Sequence, residues 1–109
     1  MALASIDSDD LTATAGGTED VLSTQTDPGT YVLGVDMANL ANGDTVILKI
    51  KTKIKTGAIS RIAYEESFSN VQADPNKYSI PVAIDTEIVC TLTQTAGTAR
   101  VFPWNLLAG

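Results

Sequence analysis

Residues 45–55 read TVILKIKTKIK, and their alternation is the clearest structural signal in the chain. From Val46 the even positions hold Val, Leu, Ile, Thr and Ile, whereas every odd position from Lys49 is lysine. Because side chains alternate between the two faces of a β-strand, this two-residue period predicts a strand with one buried and one solvated face. The sequence at 56–57, Thr-Gly, breaks the pattern, and residues 59–68 resume it as the return strand of a hairpin.

Similar short runs, bounded by turn signals, fill the rest of the chain. They predict further strands over residues 19–25, 30–36, 78–84, 86–94 and 99–107. Pro81 cannot donate a backbone hydrogen bond, so its strand should lie at an edge or be broken there. Pro103 and Trp104 should end regular pairing. Residues 37–43 should form one helical turn, capped by Asp36 and ended by Gly43.

About seven short strands with frequent turns are typical of an all-β, single-domain antiparallel sandwich, either jelly-roll-like or immunoglobulin-like. The fourteen threonines among 109 residues agree with a β-rich chain. The residues in phase on the predicted strands define the expected core: Val46, Leu48, Ile50, Ile54, Ile88, Cys90 and Leu92.

The first 18 residues differ from residues 19–109, which should form the sandwich domain. They are small and polar, with an acidic cluster at Asp7, Asp9 and Asp10 and a Gly-Gly pair at 16–17. Such a segment buries too little surface to offset its ordering entropy, which predicts an extended N-terminal arm that is ordered only against a neighbour. Residues 11–15 alternate between apolar and Thr, so a short strand would form there if an edge were free for pairing.

The charge is unevenly distributed. The chain carries a net charge of −6, with eight acids and no base in residues 1–44, and seven bases and five acids in residues 45–109. An acidic protein is repelled by phosphates, which argues against direct binding to nucleic acid. The asymmetry suggests a homo-oligomer in which the acidic front of one copy meets the basic strand of another.

No residue pattern predicts a catalytic or cofactor site. The chain has no histidine, which removes the commonest general base and metal ligand. Cys90 is the single cysteine and lies in phase with its apolar neighbours, as a small core residue would. The acidic run at residues 7–10 lacks the glycine and distal glutamate of a calcium loop. We therefore expect no enzyme activity, no cofactor and no bound metal.

The N-terminus has neither the basic start nor the apolar run of a signal peptide, and no stretch has the length of a membrane span. These observations predict a soluble protein made in a cytoplasm, with no membrane partner.

Four lysines on one strand face, Lys49, Lys51, Lys53 and Lys55, form what we call the lysine stripe. It has three interpretations: a solvated face that discourages edge aggregation, a docking surface for acidic residues of another subunit, or a nucleic-acid groove. Because the four charges repel one another, carboxylates are expected opposite them, and residues 65 and 66 (both Glu) are candidates.

Near the C-terminus, Phe102 and Trp104 follow Arg100 at even spacing. Trp104 is interpreted as a core anchor, with an exposed partner contact as the alternative, and Arg100 is expected to stack on an aromatic ring. The candidate partner-binding residues are Asp7, Asp9, Asp10, Lys49, Lys51, Lys53, Lys55, Arg100 and Trp104.

Two stretches resemble small virion structural proteins of tailed bacteriophages. One runs from GTYVL at 29–33 through NLANGD at 39–44 into the lysine strand, and the other runs from TLTQTAGT at 91–98 through Arg100, Phe102, Pro103 and Trp104. The resemblance implies a component of the phage particle, a capsid decoration (cement) protein that binds the major capsid protein or other virion proteins. It implies no catalytic residue. The alternatives are a tail or neck component, or a host-surface carbohydrate-binding module, which would expose several aromatic side chains.

Overall fold

The computed structural model describes residues 2–109, which form two antiparallel β-sheets packed face to face. It has nine strands: β1 (Ala4–Thr12), β2 (Glu19–Gln25), β3 (Gly29–Asp36), β4 (Thr45–Lys53), β5 (Arg61–Ser69), β6 (Asn76–Tyr78), β7 (Val82–Ile84), β8 (Glu87–Ala96) and β9 (Val101–Ala108). The predicted all-β sandwich is confirmed. The count exceeds seven because β1 joins the sheet and because the predicted strand at 78–84 is split into β6 and β7.

The strand order is that of a jelly roll. One sheet has the order β1-β9-β3-β6, with β7 paired to the other half of β3, and the second has the order β2-β8-β4-β5. Because β6 and β7 share one neighbour, each sheet has four strand positions. Consecutive strands alternate between the sheets except in the β4–β5 hairpin and at β6–β7, which gives the interleaved order of a jelly roll rather than of an immunoglobulin domain.

The core lies between the two sheets and contains the alternating residues of β4 and β8. Six of the seven predicted core residues are buried: Val46, Leu48, Ile50, Ile88, Cys90 and Leu92. The prediction for Ile54 is wrong, because β4 ends at Lys53 and the Ile54 side chain is 86% exposed in the turn beyond it.

Pro81 interrupts its predicted strand, whereas Pro103 does not. Residues 79–81 separate β6 from β7, as expected for Pro81, and Ser79 keeps contact with β3 by donating its amide to the Leu33 carbonyl at 2.8 Å. The expectation that Pro103 and Trp104 end regular pairing is wrong, because β9 passes through both. Pro103 is paired with Asp10 of β1 only, and the pairing of β9 with β3 begins at the next residue, Trp104.

Residues 37–43 contain two tight turns instead of the predicted helical turn. The Leu40 amide donates to the Met37 carbonyl, and the Asp44 amide donates to the Ala41 carbonyl, each at 3.0 Å. Met37 and Leu40 are both buried in the core. The short link between β3 and β4 therefore has to bring two side chains into the core, and it does so with two tight turns, each closed by an i→i+3 hydrogen bond. Asp36 still caps the first turn by accepting the Ala38 amide at 2.9 Å.

Residues 4–12 belong to the sandwich, so the structure departs from the predicted division into an arm (1–18) and a domain (19–109). Strand β1 pairs with β9 from Ala4↔Ala108 to Thr12↔Val101. The free side of β9 provides the edge that a strand at residues 11–15 would need. Pairing begins at Thr12 and continues back to Ala4. The segment expected to need a neighbouring molecule has its partner in the same chain.

Candidate functional site

Three lysines of the stripe contact carboxylates within the chain, each on a different strand of the same sheet. The Nζ–Oε distances are 3.7 Å for Lys49–Glu65, 2.9 Å for Lys51–Glu19 and 3.9 Å for Lys53–Glu87. The expected carboxylate opposite the stripe is thus confirmed for Glu65. Glu66 is paired with inward-facing Leu48 and so lies on the other face of β5.

The central pair of the stripe is the best connected. Glu19 accepts a hydrogen bond from Lys51 Nζ at 2.9 Å and another from Thr91 Oγ1 at 2.7 Å. The Lys51 bond, with the Thr91 bond next, lowers the pKa of Glu19. An acid from the front half therefore meets the basic strand inside one molecule, and much of the stripe is neutralised there. Lys55 lies past the end of β4, and among residues 2–109 no carboxylate is within ion-pair distance of it.

A buried carboxylate, Asp44, organises the opposite end of the hairpin. It is 1% exposed and accepts hydrogen bonds from Arg100 Nε at 2.8 Å, the Ala41 amide at 2.9 Å and the Thr98 amide at 3.2 Å. The Arg100 bond is the main cause of the lowered pKa of Asp44; burial opposes it and the backbone amides add to it. The expected stacking of Arg100 on an aromatic ring is therefore replaced by an ion pair.

Gln94, near the end of β8, completes this network by bonding to the turn that leads into β9. Its side chain is buried; Nε2 donates to the Ala96 and Thr98 carbonyls at 3.1 and 2.6 Å, and Oε1 accepts the Arg100 amide at 3.3 Å. Gly97 has φ +89°, and a Cβ there would overlap the Asp44 carboxylate. The TQTAGTAR stretch at residues 93–100 thus has a structural role, since Thr98 and Arg100 bind Asp44 of the NGD turn at residues 42–44.

The candidate residues near the two chain ends do not form one site, because they differ in burial and in their partners. Trp104 is buried between the sheets, which agrees with a core anchor and argues against an exposed partner contact. Asp7 is half-buried and accepts a hydrogen bond from Ser23 Oγ at 2.7 Å. Asp9 and Asp10 are exposed on β1, and among residues 2–109 neither has a cation within ion-pair distance.

A shallow hollow of about 230 Å³ lies on the outer face of the β1-containing sheet, beside Tyr78. Tyr78 is 64% exposed and its ring lies over Gly34, where a Cβ would come within 2.8 Å of it. Asn76 and Asn105 add amide groups to the lining. Sequence reasoning missed this hollow, because it depends on the pairing of Gly34 with Tyr78.

Metal ligands are not clustered among the described residues, and the Cys90 thiol is buried. No three His, Cys, Asp or Glu side chains of residues 2–109 lie close enough together to hold a metal ion. Burial raises the pKa of the Cys90 thiol to about 12, so the thiolate form is negligible near neutral pH. Within the same residues, no helix has the length and apolarity needed to cross a membrane.

The fold of this chain is similar to that of several solved structures. No protein-family model matches the chain, and no curated protein matches it. Its structure is similar to the crystal structure of PirA (TM-score 0.59, 14% identity, covering 94% of this chain and 93% of that one).

A chain from the structure of infectious bursal disease virus, Gt strain, is also similar, with a TM-score of 0.54 and 12% identity over 97% of this chain. The Gx strain gives the same TM-score and identity over 94% of this chain. This protein spans 31% and 29% of those two viral chains. At identities this low, the likeness shows a shared fold and nothing further.

Proposed function

We propose that the protein is a structural component of a virus particle, and specifically a capsid decoration protein of a tailed bacteriophage. The observation that carries this proposal is the jelly-roll strand order, an architecture used by viral capsid domains and found here in chains from a virus structure. The resemblance of the 29–44 and 91–104 stretches to phage virion proteins supports the finer assignment. The partners are then the major capsid protein or other virion proteins, and the location is the virion.

The polar side chains of the site bind other parts of the same chain and so stabilise the fold, which supports a structural role. Asp44, Gln94 and Arg100 hold two turns together, and the three paired lysines connect the strands of one sheet. A tail or neck component would need the same properties, so position in the particle has to be measured directly.

Carbohydrate binding is the second candidate, because jelly rolls also include lectin domains and because the Tyr78 hollow combines a ring with amide groups. However, Tyr78 is the one exposed aromatic side chain of the six in the chain. A sugar-binding surface usually has several exposed rings, so this count favours the structural role. Tyr78→Ala would abolish glycan binding if the hollow holds a sugar, and would leave attachment to particles unchanged if it does not.

The test is to image and quantify particles of the virus that encodes the chain. We expect the protein in purified particles at a copy number matched to capsid subunits, as symmetric density on the head surface. Stripped particles should regain that density when the purified protein is added. Absence from the particle would contradict the whole proposal, whereas density on the tail or neck would contradict the decoration role alone.

A further inference from the structure

The tip of the β4–β5 hairpin, residues 54–62, is a cationic and apolar surface on an acidic protein. Three isoleucines are strongly exposed there: Ile54 by 86%, Ile59 by 69% and Ile62 by 51%. Beside them lie Lys55 and Arg61, and the segment has no acidic residue. We call these five residues the tip patch. Exposed aliphatic side chains grouped together, unlike scattered ones, indicate an interaction surface.

The two charges of the tip patch are available for a partner. The lysine stripe residues on β4 are paired with Glu65, Glu19 and Glu87, but among residues 2–109 neither Lys55 nor Arg61 has a carboxylate within ion-pair distance. A single exposed ion pair contributes little, so a partner must offer apolar surface together with its acids.

The opposite edge of the same molecule offers that combination. Leu3, just before β1, and Ile6, within it, are exposed, and so are Asp9 and Asp10 further along the strand. Among residues 2–109 no cation lies within ion-pair distance of these two acids. It lies at the outer edge of its sheet, against β2, as the Ser23–Asp7 bond shows.

Strand β5 lies at the other edge of the sandwich, against β6, as the contact of Lys77 Nζ with the Phe68 ring at 5.5 Å shows. Two strands separate β1 from β6 and two separate β2 from β5, so the tip patch cannot reach the β1 edge of its own chain. The two surfaces can meet only between molecules.

We propose that the tip patch binds the β1 edge of a second copy of this chain. The contact is heterologous, because two different surfaces meet, so it adds copies in one direction and closes into a ring only if the rotation between copies divides a full turn. The inference takes its biological setting from the proposed function, where repeated weak contacts on a shell reinforce one another. It is measured on purified protein alone, so its failure leaves the particle test unaffected.

The test is sedimentation equilibrium of the full chain, with two reciprocal charge variants. K55E/R61E makes the tip acidic like the β1 edge, and D9K/D10K makes the β1 edge basic like the tip. We expect the wild type to self-associate at low salt and less so at about 500 mM salt, where screening is strong. Each variant alone should associate at least about tenfold more weakly.

An equimolar mixture of the two variants is the decisive sample. Every tip–edge contact between different variants pairs opposite charges, whereas every contact within one variant pairs like charges, so mixing should restore association. Both variants keep a net negative charge, −10 and −2 from the wild-type −6, so attraction between net charges cannot explain recovery. Ile59→Ser should also weaken association, whereas Val71→Ser, at an exposed valine outside the patch, should not.

Four results would overturn the proposal. The first is a wild type that stays monomeric up to about 1 mM, and the second is association that K55E/R61E leaves unchanged. The third is a mixture that does not associate although both variants keep the wild-type circular dichroism spectrum. Binding of the monomer to anionic phospholipid vesicles, lost in K55E/R61E, would assign the tip patch to a lipid surface instead and would equally overturn it.

Discussion

Ser23 Oγ donates a 2.7 Å hydrogen bond to Asp7 Oδ2 across the gap between the two sheets. Each residue follows a β-bulge: Ile6 is the extra residue on β1 and Leu22 the extra residue on β2. A bulge shifts the side chains that follow it by one position, which turns Asp7 and Ser23 towards each other at the sandwich edge. Asp7, part of the acidic cluster in the sequence, therefore has a structural role that Asp9 does not share.

Asp7→Ala should loosen β1 while leaving the rest of the sandwich folded. The change removes a partly exposed, charge-assisted hydrogen bond, so we expect a loss of about 1 kcal/mol, expressed as local opening of β1. Hydrogen exchange should show reduced protection over residues 4–12. Asp9→Ala is the matched control, and equal protection in the two variants would contradict the role given to Asp7.

Ile50→Ala should destabilise the protein by about 2–5 kcal/mol, because the side chain is fully buried and its loss leaves a cavity. Ile54→Ala removes the same atoms from the same strand phase four residues later, but at an exposed position, and should change stability by less than about 0.5 kcal/mol. Urea unfolding followed by Trp104 fluorescence measures both. Similar losses for the two variants would show that the strand continues past Lys53.

Asp44→Asn should reduce stability near neutral pH by about 1.5–3 kcal/mol, because the charged hydrogen bond from Arg100 is weakened. The pKa of Asp44 is lower in the folded protein than its ordinary value of 3.8, so its stabilising effect is full above that value and is lost as pH falls through the lowered folded pKa. The stability difference between wild type and Asp44→Asn should therefore shrink as the pH is lowered from about 6 to about 2. A difference that stays constant over this range would rule out the ion pair as its source.

Gly97→Ala should destabilise the protein more than Gly57→Ala. Both glycines have positive φ, +89° and +85°, so alanine at either site carries the conformational cost of about 1–2 kcal/mol. A Cβ at Gly57 meets open space, whereas at Gly97 it overlaps the Asp44 carboxylate and disturbs the Arg100 pair. Thermal unfolding of the two variants compares them. Equal shifts would mean that the turn moves without affecting Asp44.

Features of the fold that depend on neighbouring residues were easier to predict than features that depend on distant ones. The boundaries of β2, predicted as 19–25, and the break at Pro81 depend on a few neighbouring residues and are found where the sequence places them. The predicted helical turn at 37–43 failed because its conformation depends on burying Met37 and Leu40 in a core made by distant strands. The prediction that Ile54 is buried failed because the alternating pattern continues in the sequence beyond Lys53, the last residue of β4.

The candidate site was less predictable because it depends on which strands become neighbours. Glu65 follows from the hairpin and was anticipated, but Glu19 and Glu87 reach the lysine stripe only through the pairing of β2, β8 and β4. The burial of Asp44 against Arg100 likewise joins residues 56 positions apart. No local pattern in the NGD and TQTAGTAR stretches indicates that they touch.

The pairing of β1 with β9 also affects how the chain is made. Its register joins Ala4 to Ala108, so β1, which is synthesised before the other described strands, has no partner until β9 leaves the ribosome. At about 5–20 residues per second, this interval is on the order of 5–20 s. During this interval the segment that becomes β1, with Leu3 before it and Ile6 within it, lacks its pairing strand and is open to aggregation. We expect the carboxylates of Asp7, Asp9 and Asp10 to oppose that aggregation by repelling the same segment of other nascent copies.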